Sequence, residues 1–221
     1  MPFDASELHA VVFDMDGLLI DSEAIYLRSS VDAAKALGFH LSDDLYKSVV
    51  GLPMKAGESI IRKGMGSGFP FDEFNSKMHE LLEIEFARQV PLKAGVEELL
   101  AHLAERDLPI AVATSTSRKR AESHLEHAGV RSYFSTIVTS DDVSRGKPDP
   151  EPYLLATKGL GVSPQSCLAL EDSHNGVRSA HRAGLQTIMI PDMLAPTDEI
   201  SELCIAVMES LHKVREQFLV S

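Results

Sequence analysis

The feature of this sequence that most constrains its fold is a series of short, almost continuously apolar runs separated by stretches of helical periodicity. Runs of this length, rich in β-branched residues, are typical of strands that are buried on both faces, as in a parallel sheet. Their alternation with helices over residues 96–191 predicts an α/β fold built on a doubly wound parallel sheet. The predicted strands cover residues 9–14, 110–114, 136–140, 167–172 and 187–191.

The predicted helices between these strands are marked by residues that commonly cap helix ends. Serine and aspartate side chains accept hydrogen bonds at a helix start, and glycine allows the left-handed turn that follows a helix end. One helix is predicted over residues 96–105. The remaining predicted starts are Ser117, Asp149 (followed by Pro150) and Ser173, and the predicted ends are Gly129, residues 159–161 and Gly184.

Residues 22–88 interrupt the alternation because they show helical periodicity without a convincing strand. Ser22 is the predicted N-cap of a first helix that ends at Gly38, and further helices are predicted from about Ser42 and over residues 72–88. The sequence therefore predicts two domains: an α/β core formed by residues 1–21 and 89–221, and an all-helical domain inserted after the first strand.

A glycine-rich segment with the sequence KGMGSG covers residues 63–68 of the insert. Such a segment could cradle a phosphate, but this one lacks the preceding strand and the GK[ST] ending of a P-loop. We interpret it as a flexible connector between two helices.

Charge and composition exclude several classes of protein. The chain has 221 residues with 21 basic and 33 acidic side chains, and its net charge of −12 argues against nucleic-acid and anionic-membrane partners. It has neither an apolar run long enough to span a bilayer nor the basic and apolar start of a signal peptide. We therefore expect a cytoplasmic protein, with a monomer favoured, in which Cys167 and Cys204 are small buried residues of strands.

Two aspartates directly follow the first predicted strand, in the segment Phe13-Asp14-Met15-Asp16-Gly17. Residues i and i+2 of an extended chain point the same way, so Asp14 and Asp16 can face one site. Two unit charges about 4 Å apart repel by about 4 kcal/mol at an effective dielectric of 20, which requires a cation or a shared proton nearby. Because ligands of open α/β sheets bind at the carboxyl ends of the strands, the pair predicts a site there rather than a simple acidic turn.

A second acidic pair, Glu171 and Asp172, ends the fourth predicted strand. Carboxylates that converge from two strand ends are typical ligands of a divalent cation, and oxygen ligands without histidine or cysteine favour Mg²⁺ over zinc. The alternative interpretation is that Asp172 only caps the helix that follows it.

Two further polar segments lie next to predicted strands or helices. Thr114, Ser115 and Thr116 fall between the second strand and a helix, where hydroxyls and free backbone N–H groups bind anions. An ordinary helix-capping cluster would have the same composition. Lys147 lies in a loop stiffened by prolines, and an exposed lysine without a role is the alternative at that position.

The order and spacing of these four segments resemble those of the haloacid dehalogenase-like hydrolase superfamily, over essentially the whole chain. The segments DMDGLLIDSE, GKPDPEPY and LEDSHNGVRSAHRAG are similar to those of its phosphatase and phosphomutase branch. The resemblance implies a Rossmann-like core with a small helical cap. It also implies an enzyme that hydrolyses the phosphate ester of a small metabolite, such as a sugar phosphate, with Mg²⁺ as its cofactor.

The same resemblance implies a catalytic role for each matching residue. Asp14 is the nucleophile that forms a transient aspartyl-phosphate, and Asp16 protonates the leaving alcohol and later activates water. Thr114 and the backbone beside Ser115 hold the phosphoryl group. Lys147 steadies the nucleophile and the charge of the phosphoryl group.

The resemblance further implies the ligands of the cation, which are Asp14, the backbone carbonyl of Asp16 and the side chain of Asp172, with Glu171 close by. A phosphoryl transition state spreads negative charge over three oxygens, so catalysis consists largely of positioning and of neutralising charge. Mg²⁺, Lys147 and backbone amides would supply that neutralisation.

Three alternatives stay open. A dehalogenase would share Asp14 but would not need a general acid two residues later. A β-phosphoglucomutase-like enzyme would match closely, but that group has a histidine on the first cap helix where this sequence has Tyr26, which favours a phosphatase. An acidic regulatory or interaction module would require one of the site residues Asp14, Asp16, Lys147 and Asp172 to be missing.

Substrate choice is expected to lie in the insert, because only the insert could close over the far end of a ligand. Residues 50–55, with the sequence VGLPMK, fall where relatives have a specificity loop. Lys55 is therefore a candidate for binding an anionic or hydroxylated group of the substrate, and an exposed lysine without such a role is the alternative.

Overall fold

The computed structural model describes residues 8–50, 52 and 54–218, and its central element is a six-stranded parallel sheet. The strands are β1 (Ala10–Phe13), β2 (Ile110–Ala113), β3 (Thr136–Val138), β4 (Cys167–Glu171), β5 (Gln186–Met189) and β6 (Ala206–Val207). Their spatial order is β3-β2-β1-β4-β5-β6, and helices connect them. This architecture confirms the predicted α/β fold class.

β1 is the buried centre of the sheet, with β2 on one side and β4 on the other. Val12 pairs with Ala111 of β2 and with Ala169 of β4, and all four residues of β1 are buried. Because β2 and β3 lie on one side of β1 and the later strands on the other, the connections diverge between β1 and β4. Ligands of open α/β sheets bind at such a switch point, beyond the carboxyl ends of the strands.

β6 is the strand that the sequence analysis does not predict, whereas the other five strands overlap their predicted ranges. It has two residues, which pair with Ile188 and Met189 of β5, and so few positions cannot show a period-two pattern. Cys167 is the buried first residue of β4, as predicted. The prediction for Cys204 is wrong, since this residue lies before β6, outside a strand, and is only partly buried.

Helices cover much of the remaining described chain. In chain order they are α1 (Glu23–Ala36), α2 (Asp43–Lys47), α3 (Met54–Met65), α4 (Phe71–Arg88), α5 (Val96–Glu105), α6 (Arg118–His127), α7 (Glu151–Leu160), α8 (His174–Ala183), α9 (Asp198–Leu203) and α10 (Leu211–Phe218). None of the helices in the described part of the chain is both long enough and apolar enough to cross a bilayer.

The predicted helix caps are found in part. The side chain of Ser173 accepts a backbone N–H of α8 at 3.1 Å, and that of Asp149 accepts the first backbone N–H of α7 at 3.1 Å. Ser117 occupies the N-cap position of α6 without a side-chain hydrogen bond. Ser22 likewise occupies the predicted N-cap position of α1, but its backbone is already helical and its side chain makes no capping bond.

The chain forms two compact units: Asp21–Val90 is one, and the chain on either side of it forms the other. The described residues of Asp21–Val90 contain α1 to α4 and no strand. The core of this unit includes Phe39, Phe69 and Phe74, whose successive ring centroids are each 5.1 Å apart. Hydrophobic packing of helices therefore stabilises this unit without a sheet.

Residues 63–68 do not all lie in the connector between helices that the sequence predicts. α3 continues to Met65, and Gly64 lies inside it, where a Cβ would approach Leu45 Cδ1 to 2.5 Å. The missing side chain at Gly64 thus permits close packing against Leu45 of α2. The turn begins only at Gly66, which has a φ of +92°.

The two chain segments that flank Asp21–Val90 lie side by side within the sheet unit. Ile20 forms an antiparallel bridge with Leu92, and the backbone N–H of Lys93 donates to the Leu19 carbonyl at 3.0 Å. These backbone contacts close the sheet unit at the point where the helical unit is inserted.

We expect Leu168→Ala to lower the free energy of unfolding by about 2–5 kcal/mol, because Leu168 is fully buried in β4 between β1 and β5. The matched control is Leu154→Ala in α7, where the side chain is 42% exposed and the same truncation should cost about 0.5 kcal/mol or less. Urea unfolding followed by circular dichroism measures both values. Equal losses for the two variants would contradict the central position of β4 in the core.

Candidate active site

The candidate site begins with Asp14, the first residue after β1. Its backbone N–H donates to the Leu170 carbonyl at 3.0 Å, which ties the end of β1 to the end of β4, and its side chain is buried. Two residues later comes Asp16, and the chain then turns. Gly17 has a φ of +86°, and its N–H donates to the Ile20 carbonyl at 2.9 Å. The site therefore lies at the carboxyl edge of the sheet, at the switch point between β1 and β4.

Lys147 is the positive centre of this site. Its ammonium group contacts Asp14 Oδ1 and lies 2.5 Å from Glu171 Oε1, and its side chain is only 6% exposed. Two side chains of α8, Arg182 and Ser179, donate to backbone carbonyls of the loop that carries Lys147, at 2.9 and 2.5 Å. The loop is thus held so that a buried ammonium group meets two carboxylates.

Glu171 is the fully buried last residue of β4. Its Oε1 accepts from Lys147 and from the Tyr153 hydroxyl, the latter at 2.6 Å. Its Oε2 accepts from Ser173 Oγ at 3.1 Å and from the backbone N–H groups of Asp172 and Ser173, each at 3.2 Å. Five donors therefore satisfy a carboxylate that burial alone would destabilise, and Glu171 in turn positions Lys147.

The buried charges of the site change one another's proton affinity. Burial raises the pKa of Asp14 to about 8; Lys147 opposes this shift, while the charges of Glu171 and Asp16 add to it. Burial by itself would lower the pKa of Lys147, but the carboxylates of Asp14 and Glu171 outweigh it and raise that pKa. Burial and the same two carboxylates raise the pKa of Asp172 well above its usual range. Asp14 and Asp172 are therefore harder to ionise than ordinary carboxyl groups, because Lys147 only partly offsets their burial and the repulsion from neighbouring carboxylates.

Asp14, Glu171 and Asp172 can each offer a carboxylate oxygen to one cation, since these oxygens all lie within 4.8 Å of one another. When all are ionised, three carboxylates beside the one ammonium of Lys147 leave two negative charges, which a divalent cation would balance. Every donor of the group is an oxygen, the ligand type that Mg²⁺ prefers. The residues present therefore fit a hard divalent cation.

The hydroxyls that follow β2 contact Asp16. Thr116 Oγ1 donates to Asp16 Oδ2 at 2.7 Å, and Thr114 Oγ1 donates to the same oxygen at 3.4 Å. Thr114 Oγ1 also accepts the backbone N–H of Thr116 at 3.0 Å, whereas Ser115 between them is exposed. Asp16 Oδ1 is buried and has no hydrogen-bond partner among the residues that the structure describes. Both threonines therefore contact Asp16, and their hydroxyls hydrogen-bond only one of its two carboxylate oxygens, Oδ2.

Lys55 and Tyr26, which the sequence suggests are relevant to substrate choice and to reaction class respectively, both lie in the helical unit Asp21–Val90. The side chain of Lys55, at the start of α3, lies outside the described residues, and its substrate contact stays a prediction. Tyr26 lies in α1, where its ring packs edge-on against that of Phe86 with the centroids 6.2 Å apart.

Three residues at the site were not predicted from the sequence. Tyr153 binds Glu171 through its hydroxyl, and its ring centroid is 5.1 Å from Lys147 Nζ. Asp192 follows β5 and accepts from Lys93 at 2.6 Å. An acid just after a strand is the signal that identified both acidic pairs, so it could also have identified Asp192. No local pattern indicates its partner Lys93, which is 99 residues away.

Comparison with known proteins gives matches over most of the chain. A family model described as haloacid dehalogenase-like hydrolase matches residues 11–190, in agreement with the resemblance seen in the sequence. The phosphorylated carbohydrates phosphatase of Thermotoga maritima is 33% identical over 82% of this chain and 84% of its own length.

Solved structures are similar over the whole fold. A provisionally named beta-phosphoglucomutase from Thermotoga maritima is 30% identical and has a TM-score of 0.81, covering 95% of this chain and 100% of that one. The CbbY protein of Rhodobacter sphaeroides, solved with xylulose-1,5-bisphosphate, is 26% identical and has a TM-score of 0.77, covering 94% of this chain and 96% of that one.

We expect Gly176→Ala to destabilise the protein, because a Cβ at Gly176 would overlap the carboxylate of Glu171 and separate it from its donors. Loss of buried hydrogen bonds costs about 1–3 kcal/mol each, which outweighs the gain of about 1 kcal/mol in helix propensity. Gly57→Ala in α3 is the matched control, since its Cβ would lie at an ordinary 3.5 Å from Val49 Cβ. Thermal melting should show a lower Tm for Gly176→Ala only, and an unchanged Tm would contradict this packing.

Proposed function

The chain belongs to the haloacid dehalogenase-like hydrolase family, and we propose that it is a Mg²⁺-dependent phosphatase of a small phosphorylated metabolite, such as a sugar phosphate. The observation that carries the proposal is the contact of Lys147 with Asp14 beside a group of carboxylates that can share one cation. The phosphatase among its relatives indicates the reaction class, so the chain is a phosphoric monoester hydrolase.

Asp14 and Asp172, together with the backbone carbonyl of Asp16, are the groups that would hold the cation, with Glu171 close by. Mg²⁺, when bound, supplies Lewis-acid neutralisation of the phosphoryl oxygens. Support for Mg²⁺ comes from the oxygen-only donors and from the two negative charges that Lys147 would leave unbalanced with all three carboxylates ionised.

Asp14 acts as the nucleophile in this proposal. One of its carboxylate oxygens forms a bond to phosphorus while the bond from phosphorus to the ester oxygen breaks, which gives an aspartyl-phosphate and an alcohol. Lys147, in contact with Asp14, holds the carboxylate in place and balances negative charge during the transfer. Attack of water on the phosphorus then breaks the bond to Asp14 and releases inorganic phosphate.

Asp16 is suited to move the proton in both displacements. Thr116 and Thr114 hold its Oδ2, whereas its Oδ1 has no partner within the described residues and is left to carry a proton. Asp16 first gives this proton to the departing alcohol oxygen and then takes one from the attacking water. One side chain thus serves as the acid and afterwards as the base.

Sugar phosphates are the substrate class that the relatives favour, since one is named a phosphatase of phosphorylated carbohydrates and another was solved with a pentulose bisphosphate. The net charge of −12 repels anions at a distance, so the cation and Lys147 must provide local attraction for the substrate. We also propose a cytoplasmic location, supported by two cysteines that form no disulfide, as expected in a reducing compartment.

A phosphomutase is the second candidate function, favoured by the similarity to the provisionally named beta-phosphoglucomutase. A mutase must keep water away from its aspartyl-phosphate while the substrate reorients. Incubation with β-glucose 1-phosphate distinguishes the two activities. Release of inorganic phosphate supports the phosphatase, and conversion to glucose 6-phosphate without such release contradicts it.

We expect Asp14→Asn to reduce the hydrolysis of para-nitrophenyl phosphate by at least about a thousandfold, because the amide keeps the shape of the side chain but is not a nucleophile. The circular dichroism spectrum should not change. Asp198→Asn, at an exposed position in the first turn of α9, is the matched control and should keep full activity. Turnover by purified Asp14→Asn at the rate of the control would show that another group is the nucleophile.

Removal of divalent cations should abolish phosphate release, because Lys147 alone does not balance the carboxylates of the site. We expect activity to be lost in excess EDTA and to return fully when Mg²⁺ is added in excess of the chelator. Phosphate release and metal content are measured on the same samples. A metal-free sample with undiminished activity would exclude the proposed role of Mg²⁺.

A further inference from the structure

Asp192 lies beside the site but has no part in the reaction proposed above. Its side chain is 14% exposed, and its Oδ1 accepts a hydrogen bond from Lys93 Nζ at 2.6 Å. Its Oδ2 is buried and, within the described chain, has no hydrogen-bond partner. A buried polar atom without a hydrogen-bond partner lowers the free energy of unfolding by about 1–3 kcal/mol. We therefore expect this oxygen to accept a hydrogen bond from a donor that is not part of the described chain.

Gly17 indicates which way Asp192 Oδ2 faces. A Cβ built at Gly17 would overlap Asp172 Oδ2 and would lie 3.4 Å from Asp192 Oδ2. The two carboxylate oxygens therefore approach the same backbone position, directly after Asp16 in the chain. The unpartnered oxygen thus lies on the side of Asp172, one of the residues that would hold the cation.

We propose that Asp192, held in place by Lys93, is a positioning residue of the cation site, where its Oδ2 accepts a hydrogen bond from a water ligand of the cation. This inference rests on the proposed function, because it needs a cation bound by Asp14 and Asp172. Asp192 acts through water rather than as a direct ligand. The carboxylates of the described chain that can reach one common cation are those of Asp14, Glu171 and Asp172.

The chemistry of Mg²⁺ favours such an acceptor. Mg²⁺ loses its hydration shell reluctantly and keeps several water ligands, which need hydrogen-bond acceptors around them. Loss of an acceptor in this outer shell typically weakens metal binding by about 10- to 100-fold. Because Lys93 balances the charge of Asp192, the pair adds little net charge to the site. Its effect on cation binding would come from the orientation of the hydrogen bond that Asp192 Oδ2 accepts.

A purely structural role of the ion pair is the competing explanation. Lys93 lies where the chain returns to the sheet unit, and its backbone N–H donates to the Leu19 carbonyl at 3.0 Å. An ion pair that only anchored this segment would change the stability of the protein and leave the Mg²⁺ affinity of the folded protein unaltered. A binding measurement therefore separates the two roles.

The test is isothermal titration of Mg²⁺ into the metal-free full chain, without substrate. We expect Asp192→Asn to raise the Kd for Mg²⁺ by at least about tenfold. The amide oxygen would stay on Lys93, so the amino group would face the site, where it cannot accept a hydrogen bond. Glu216→Gln, which removes a charge from an exposed pair with Lys213, is the matched control and should leave the Kd unchanged. An unchanged Kd for folded Asp192→Asn overturns the proposal.

A second variant keeps the test decisive if Asp192→Asn alone is unstable, because that change leaves Lys93 beside a neutral group. The double substitution Lys93→Gln with Asp192→Asn replaces the ion pair by two amides that can still form a hydrogen bond. We expect it to fold, as judged by circular dichroism and thermal melting, and to bind Mg²⁺ as weakly as the single variant. A folded double variant with the Mg²⁺ affinity of the unmodified protein overturns the proposal as well.

The unmodified protein distinguishes a failure of this inference from a failure of the proposed function. If it binds Mg²⁺ and hydrolyses para-nitrophenyl phosphate while the variants bind Mg²⁺ equally well, only the role of Asp192 is wrong. If it neither binds Mg²⁺ nor releases phosphate, the proposed function is wrong, and the role of Asp192 at a cation site is wrong with it.

Discussion

The rest of the site depends on one interaction, the contact of the buried Lys147 ammonium group with the carboxylates of both Asp14 and Glu171. Without it, the carboxylates at the ends of β1 and β4 would repel each other where little water can screen them. The fold fixes each contributing segment, because β1 and β4 pair in the sheet and α8 holds the loop of Lys147. A single buried cationic side chain thus reduces the repulsion among the clustered carboxylates.

The carboxylates around Lys147 differ in how far hydrogen bonds from the chain compensate for their burial. Glu171 receives five hydrogen bonds from the chain itself, so its contribution is to hold Lys147 and the start of α8 in position. Burial, with neighbouring carboxylates that Lys147 only partly offsets, raises the pKa values of Asp14 and Asp172. Acids that a protein leaves unbalanced in this way are typical of functional sites. The division of roles between adjacent carboxylates therefore follows from their environments rather than from their residue type.

The sheet and the acids at its edge were predictable because their signals are local. A strand buried on both faces is a continuous apolar run, and an acid directly after it lies at the edge where ligands bind. β6 was not predictable, because two residues cannot show a period. Tyr153 lies on the buried side of α7, where a tyrosine normally indicates packing, and only its contact with Glu171 reveals its role. The ion pair of Lys93 with Asp192 likewise could not be predicted, because the two residues are 99 positions apart in the sequence.

Ile20 and Leu92 pair at the point where the chain leaves the sheet unit and returns to it. The ends of Asp21–Val90 are therefore held together by backbone pairing of the sheet unit itself. Since the entropy of closing a loop grows only slowly with its length, helices between these ends can be lengthened, shortened or exchanged at little cost to the sheet. A change of length or sequence in the helical segment can therefore leave the backbone pairing at its two ends, and the acidic edge of the sheet, undisturbed.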